Sequence, residues 1–315
     1  MTEPMTERPQ ILQIDPLTRP VQERLDAAFT VHRFQSLDAL APVAAAIRGV
    51  ATSPLSGLSS DIIDTLPHLE FVAVNGVGMD KIDLAACKRR GIHVTAATGV
   101  LSDDVADMAI GLMIDVLRGI SAGDRFVRAG KWGREPVPNA RTLTGKTVGV
   151  VGLGRIGRAV AERCAALKMK SAYFSRSRSA DAAYPYYASA RALAEASDVL
   201  VLAVPGGPET TKMIDAEVLN ALGPNGYLVN IARGSVVDEE ALVAALREKR
   251  IAGAALDVFA DEPHVPEALL TMENVVLQAH RGSATREVRK AMGDLVVDNL
   301  LAHFAGRKPL TPPVV

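Results

Sequence analysis

The sequence predicts an α/β protein with two doubly wound parallel sheets. Short β-branched and apolar runs alternate with helical patterns from end to end, as strands joined by helical crossovers do. The chain has 315 residues and is 48% apolar, enough for two cores of ordinary size. A glycine-rich turn over residues 152–157 follows an apolar run near mid-chain, so a sizeable unit precedes it.

The expected strands upstream fall at 11–15, 31–34, 49–52, 71–75 and 93–96. Helical segments separate them, among them 61–66, ended by Pro67, and 84–90. Together they describe a flavodoxin-like unit of about a hundred residues, a normal domain size. A long helix over about 103–120 then places Val105, Met108, Ala109, Leu112 and Val116 on one face. Residues 130–138 have no period and hold the single tryptophan, Trp132. They read either as a surface loop or as a contact between subunits.

From Thr147 a second unit is expected, with six strands at 147–151, 171–174, 199–204, 227–231, 253–258 and 275–278. Its first helix, 155–168, carries Ile156, Val160, Cys164 and Leu167 on one side. A final helix over 285–304 lines up Val288, Met292, Leu295 and Val296, and is expected to return to the first unit. The domains expected are therefore residues 1–98 with 285–315, and an inserted domain of residues 99–284.

A net charge of −1 argues against general attraction to nucleic acid or anionic membrane. Met1 to Glu7 has no basic region followed by an apolar one, so no signal peptide is expected. No apolar run approaches the ~20 residues of a membrane span. The two cysteines, Cys87 and Cys164, read as buried or incidental thiols rather than a disulfide, which suits a reducing cytoplasm. Histidines and cysteines have no ligand-like spacing, so no metal site is expected.

The turn Gly152-Leu-Gly154-Arg155-Ile156-Gly157 has the context that a dinucleotide-binding Rossmann loop needs, with a strand before it and a helix after it. Gly152 allows the tight turn, Gly154 lets the backbone approach a pyrophosphate, and Gly157 lets the helix pack on the sheet. The helix N-terminus offers unpaired N–H groups to the phosphates. Ligands of open parallel sheets bind outside the carboxyl ends of the strands. Just past such ends lie Arg233, Asp257 with Glu262 beyond it, and His280. Each has an ordinary explanation: a solvated turn arginine, a local cap at Asp257, one acid among several, one histidine of six. Together on one rim beside a dinucleotide loop they match an active site better.

These segments carry a resemblance to the D-isomer-specific 2-hydroxyacid dehydrogenase family, over essentially the full chain and most closely to its glyoxylate/hydroxypyruvate reductase branch. The matching pieces are residues 75–83 (Asn-Gly-Val-Gly-Met-Asp-Lys-Ile-Asp), 103–107, the glycine loop, 230–234 (Asn-Ile-Ala-Arg-Gly), 256–259 (Leu-Asp-Val-Phe) and His280. The resemblance implies Arg233, Glu262 and His280 as the catalytic set. It implies Asp257 at the nicotinamide carboxamide, and the backbone of Val77 and Gly78 at the substrate carboxylate. Leu55 matches loosely on the substrate side. Cofactor contacts are implied at Gly152, Gly154, Arg155, Ile156, Gly157, Val204, Pro205, Thr210, Ile231, Ala232, Arg233, Asp257, His280 and Gly282. A homodimer is also implied, with the helix and loop of 103–140 between subunits and Trp132 reaching the neighbouring subunit's site.

The implied reaction is reduction of a small 2-oxo acid, and it accounts for the residue types. A protonated His280 gives a proton to the ketone oxygen as hydride arrives at C2, which is worth ~10²–10⁴-fold. Glu262 favours the charged imidazole and orients it. Arg233 holds a carboxylate with a planar fork that a lysine lacks. Two features depart from the family pattern: Ala279 stands where a proline often precedes the histidine, and Arg281 follows it directly. If the segment is extended, Arg281 points away from the substrate.

For an NAD enzyme of this fold, an acid is expected about 20 residues after the loop. Here the second strand runs into Ser175-Arg176-Ser177-Arg178, without an acid. Ser175, Arg176 and Ser177 suit a 2′-phosphate, so NADP(H) is expected over NAD(H), which stays possible. Within the family, Glu262 disfavours a formate enzyme, whose histidine is paired with glutamine. A 3-phosphoglycerate or other 2-oxo acid dehydrogenase is the alternative, although the former usually prefers NAD and often has an added regulatory domain. A cofactor-sensing corepressor-type binding protein is a more distant reading.

Overall fold

Phe71–Val74 is apolar at four consecutive positions and wholly buried, as a strand covered by helices on both faces must be. The computed structural model describes residues 8–315, and the signal-peptide expectation made on residues 1–7 lies outside them. The chain divides into two compact units. One runs to Leu101 and resumes over Thr285–Val315, and the other spans Ser102–Ala284.

The first unit runs β1 (Gln10–Gln13), α1 (Arg19–Ala28), β2 (Thr30–Arg33), α2 (Leu37–Leu40), β3 (Ile47–Thr52), α3 (Ser60–Thr65), β4 (Phe71–Val74), α4 (Leu84–Arg89) and β5 (His93–Ala96). Its strands are parallel in the order β2-β1-β3-β4-β5, the flavodoxin-like order. Ser59 and Asp83 start α3 and α4 by accepting the backbone N–H groups of Ile62 and Ala86, three residues on, which a short polar side chain at that position does well.

The second unit opens with α5 (Ser102–Arg118) and α6 (Ile120–Arg128), broken by Gly119 at φ +64°. It continues β6 (Thr147–Val151), α7 (Arg155–Ala166), β7 (Lys170–Phe174), β8 (Tyr186–Tyr187), α8 (Ala190–Glu195), β9 (Val199–Leu202), α9 (Ala216–Leu222), β10 (Tyr227–Asn230), α10 (Glu239–Arg247), β11 (Gly253–Leu256), α11 (Glu267–Leu270) and β12 (Val275–Leu277). The sheet is parallel in the order β12-β11-β10-β9-β6-β7-β8. It has seven strands rather than six: two-residue β8 is too short to carry a period. Strand order reverses at β6, between β7 and β9, and ligands of such sheets bind at that switch point. Leu193, Leu219, Leu242 and Leu246 from the helices pack on Leu200, Leu228 and Leu256 of the strands in one buried cluster.

Strands β9, β10, β11 and β12 end one or two residues earlier than expected, so more of the following segment is loop. At β10 the reason is Asn230. Its side chain accepts the Ala232 N–H and donates to the Arg233 carbonyl, both at 3.0 Å, an Asx-type turn that takes the chain out of the sheet.

The last helix, α12 (Arg286–Phe304), belongs to the first unit. Thr285 caps it by accepting the Val288 N–H at 3.2 Å. Val296, Val297 and Leu300 share a buried cluster with Ile11, Val21, Leu25 and Phe71. Among the described residues no helix is long and apolar enough to cross a membrane, and no group of side chains could hold a metal ion.

Candidate active site

The glycine loop leaves β6 at the switch point, and its three glycines differ in what surrounds them. Gly152 has φ +97°, and a Cβ there would lie 2.7 Å from the Ala203 carbonyl oxygen. At Gly157 a Cβ would come to 1.9 Å from the Gly152 carbonyl oxygen, so the start of α7 sits directly on the turn. At Gly154 a Cβ would meet nothing within 4 Å. That is open space over the helix N-terminus, where the first N–H groups, from Arg155 to Gly157, have no helical acceptor. A side chain would fill the approach that an anionic pyrophosphate needs, so these residues fit a dinucleotide.

Beside this loop, Ser175, Arg176 and Ser177 follow β7 with no acid among them. The Ser175 hydroxyl donates to the Ser177 carbonyl at 2.7 Å, and the buried Tyr173 hydroxyl accepts the Ser179 N–H at 2.9 Å. Arg176 donates to Glu209 at 3.0 Å, a partner that the sequence did not suggest. After β9 come Val204 and Pro205, and the Thr210 hydroxyl braces that loop by donating to the Pro205 carbonyl at 2.8 Å. Ile231 and Ala232, after β10, are buried.

On the same edge, the His280 Nδ1 lies 2.7 Å from Glu262 Oε2. The other carboxylate oxygen, Oε1, accepts the Phe259 N–H at 3.0 Å, so both oxygens are fixed. Burial works to raise the Glu262 pKa, but the hydrogen bonds from His280 and Phe259 and the charges of His280 and Arg233 outweigh it. The carboxyl is held below its ordinary range. Arg233 is thus close enough to act on Glu262, and it also donates to the Ala232 carbonyl at 2.7 Å. The structure gathers Arg233, Glu262 and His280 on one rim.

Asp257 is 2% exposed. Its carboxylate accepts the N–H groups of Arg281 at 2.7 Å and Gly282 at 2.8 Å, and its carbonyl accepts that of His280 at 2.8 Å. Burial raises its pKa, against the opposing pull of the two N–H groups. The local-cap reading of this residue describes what it does here. One expectation needs correction: the segment at His280 is not extended, because His280 has φ +50°. Alternation therefore gives no direction for the Arg281 side chain, which is exposed.

In the first unit Leu55 follows β3 and is 60% exposed, while Val77 and Gly78 follow β4 with Val77 38% exposed. Trp132 follows α6 and is 72% exposed. It lines a groove of about 660 Å³ with Phe126, Val127 and Val137 that reaches Tyr227, the first residue of β10. That is the amino edge of the sheet, so within one chain Trp132 is not brought to His280. Sequence reading missed the hinge role of Asn230, although an Asn ending a strand is a turn signal. It also missed Glu209, for which no local signal exists.

A family model described as "D-isomer specific 2-hydroxyacid dehydrogenase, NAD binding domain" matches residues 110–282. The chain is 51% identical to the 2-ketogluconate reductase of Gluconobacter oxydans over 98% of its length and all of that protein. It is 49% identical to the hydroxyphenylpyruvate reductase of Plectranthus scutellarioides, covering 97% of this chain and 98% of the other. Its structure is similar, with a TM-score of 0.92 and 44% identity, to the NADPH-dependent glyoxylate/hydroxypyruvate reductase of Sinorhizobium meliloti in complex with NADP and malonate. That match covers 98% of this chain and 97% of the other.

Proposed function

The chain belongs to the D-isomer specific 2-hydroxyacid dehydrogenase family and is an oxidoreductase, and from that premise we propose that it reduces a small 2-oxo acid, glyoxylate or hydroxypyruvate, to the D-2-hydroxy acid with NADPH. The observation that carries this reading is the 2.7 Å pairing of His280 with Glu262 on the sheet edge that also bears the glycine loop.

Gly152, Gly154 and Gly157, with the N–H groups of Arg155 and Ile156, hold the pyrophosphate. Ser175, Arg176 and Ser177 take the 2′-phosphate. Val204, Pro205, Thr210, Ile231, Ala232, Asp257 and Gly282 line the rest of the cofactor's course. What the bound dinucleotide supplies is a hydride for C2 of the oxo acid.

Glu262 occupies the His280 Nδ1, which leaves Nε2 for the substrate. From there the imidazolium hands its proton to the ketone oxygen, so the product leaves as a hydroxyl and His280 is left neutral. Arg233 grips the substrate carboxylate with two parallel N–H bonds, which fixes the angle of the ketone. In the first unit, the backbone of Val77 and Gly78 and the side chain of Leu55 are the further substrate-binding groups in this reading.

The protein acts as a homodimer joined through α5, α6 and the loop that follows, where Ile120, Val127, Trp132 and Val137 leave apolar surface exposed. Trp132 reaches the neighbouring subunit's site. Two free buried cysteines suit a cytoplasmic protein.

A panel of glyoxylate, hydroxypyruvate, 2-ketogluconate and hydroxyphenylpyruvate, each with NADPH and NADH, tests the reading through loss of reduced-nicotinamide absorbance. Fastest turnover of glyoxylate or hydroxypyruvate with NADPH supports it. Preference for NADH, or for a larger acid, overturns the corresponding part.

A further inference from the structure

Arg176 sits on the loop after β7 and Glu209 on the loop after β9. These strands flank β6, whose carboxyl end bears the glycine loop. The 3.0 Å ion pair between them therefore spans the switch-point crevice. Both side chains are largely exposed, 85% and 74%, so the pair is not buried by packing and can open at little cost. The bases of both arms are fixed. Ser175 and Tyr173 brace the first loop, and Thr210, next to Glu209, braces the second. Opening needs only side-chain rotation.

We propose that Glu209 is an internal placeholder for the cofactor's 2′-phosphate: its carboxylate occupies the Arg176 guanidinium until the phosphate displaces it. The inference rests on the NADPH reading given above. A carboxylate and a phosphate compete for the same planar fork of donors. The exchange has two consequences. A 2′-phosphorylated nucleotide must break the pair and sits near a residual negative charge, which weakens its binding. A nucleotide lacking that phosphate leaves the pair intact. Glu209 thus sets how strongly the two cofactors are distinguished, without touching the reacting atoms.

Calorimetric titration with adenosine 2′,5′-bisphosphate and adenosine 5′-monophosphate tests this without any turnover. Glu209→Gln is expected to bind the bisphosphate about three- to tenfold more tightly, the range of an exposed pair plus relief of like-charge repulsion. Its affinity for the monophosphate should stay where it was. In the Arg176→Ala background the gain from Glu209→Gln should shrink to the part that comes from relieved repulsion, and a gain as large as in wild type overturns the placeholder role. An unchanged bisphosphate affinity in Glu209→Gln, or equal tightening of both nucleotides, overturns the inference and leaves the NADPH reading standing. Wild-type protein that does not distinguish the two nucleotides overturns both.

Discussion

Asp257 holds Gly282 in place: the Oδ2 of this buried carboxylate accepts the Gly282 N–H at 2.8 Å, while Oδ1 takes the Arg281 N–H. With its carbonyl on the His280 N–H, one residue fixes three consecutive backbone donors and keeps His280 in the left-handed region.

Asp257→Asn should therefore loosen this segment. An amide can face only one of the two N–H groups with its oxygen and sets a donor against the other. Leaving such a buried group unsatisfied costs about 1–3 kcal/mol. Denaturant unfolding followed by circular dichroism reads the loss, and an unmoved midpoint would contradict the clamp.

Glu262→Gln should lower kcat/KM for ketone reduction about tenfold or more, because in the proposed reaction the carboxylate at 2.7 Å fixes the orientation of the His280 ring. Stability has its own sign. The Glu262 carboxyl is held below its ordinary value, so its contribution is present above that value and is lost as pH falls through the lowered one. The stability gap between wild type and Glu262→Gln should shrink as the medium is acidified below that value. A gap independent of pH would remove this account.

Gly154→Ala and Gly157→Ala separate binding from folding. The methyl at Gly154 has space within the protein but fills the approach to the start of α7. The variant should melt like wild type while losing dinucleotide affinity. At Gly157 the methyl would meet the Gly152 carbonyl oxygen at 1.9 Å, and such a strain is expected to cost about 1–3 kcal/mol. Thermal melts with and without NADPH distinguish the two. Normal NADPH binding by Gly154→Ala would contradict the role given to that opening.

Arg233→Lys keeps the charge and loses the fork. The loss of paired bonds is expected to raise KM for glyoxylate or lower kcat, with kcat/KM down about tenfold to a hundredfold. Steady-state kinetics that match wild type would remove Arg233 from the substrate carboxylate.

Val127→Glu puts a charge on the exposed apolar face of α6, where 53% of Val127 is accessible. Light scattering should find the proposed dimer for the wild type and monomers for the variant, since an unpaired charge at an interface core is strongly unfavourable. A Val127→Glu dimer of wild-type strength would place the interface elsewhere.

Periodicity made most of the architecture legible. Runs such as Phe71–Val74 and Val199–Leu202 are apolar throughout, and the helices between them show one-sided stripes. The glycine loop was readable because each glycine answers a different steric demand. What escaped was either too short or non-local. Two-residue β8 has no period, and α6 spans only nine residues, with its apolar side left exposed rather than packed in a core. The link from Arg176 to Glu209 joins positions 33 residues apart, on loops that follow the two strands flanking β6. The left-handed turn at His280 comes from Asp257, which lies across the sheet edge, and the flanking Ala279 and Arg281 give no hint of it.

The return of α12 orders events on the ribosome. The inserted unit is continuous and has every strand it needs once Ala284 has emerged from the exit tunnel. The first hundred residues, although made earlier, must wait with Ile11, Val21 and Phe71 uncovered until Val296, Val297 and Leu300 arrive. The part translated first is thus the last to finish, and a nascent chain stalled before α12 presents chaperones with a sheet face that only α1 covers.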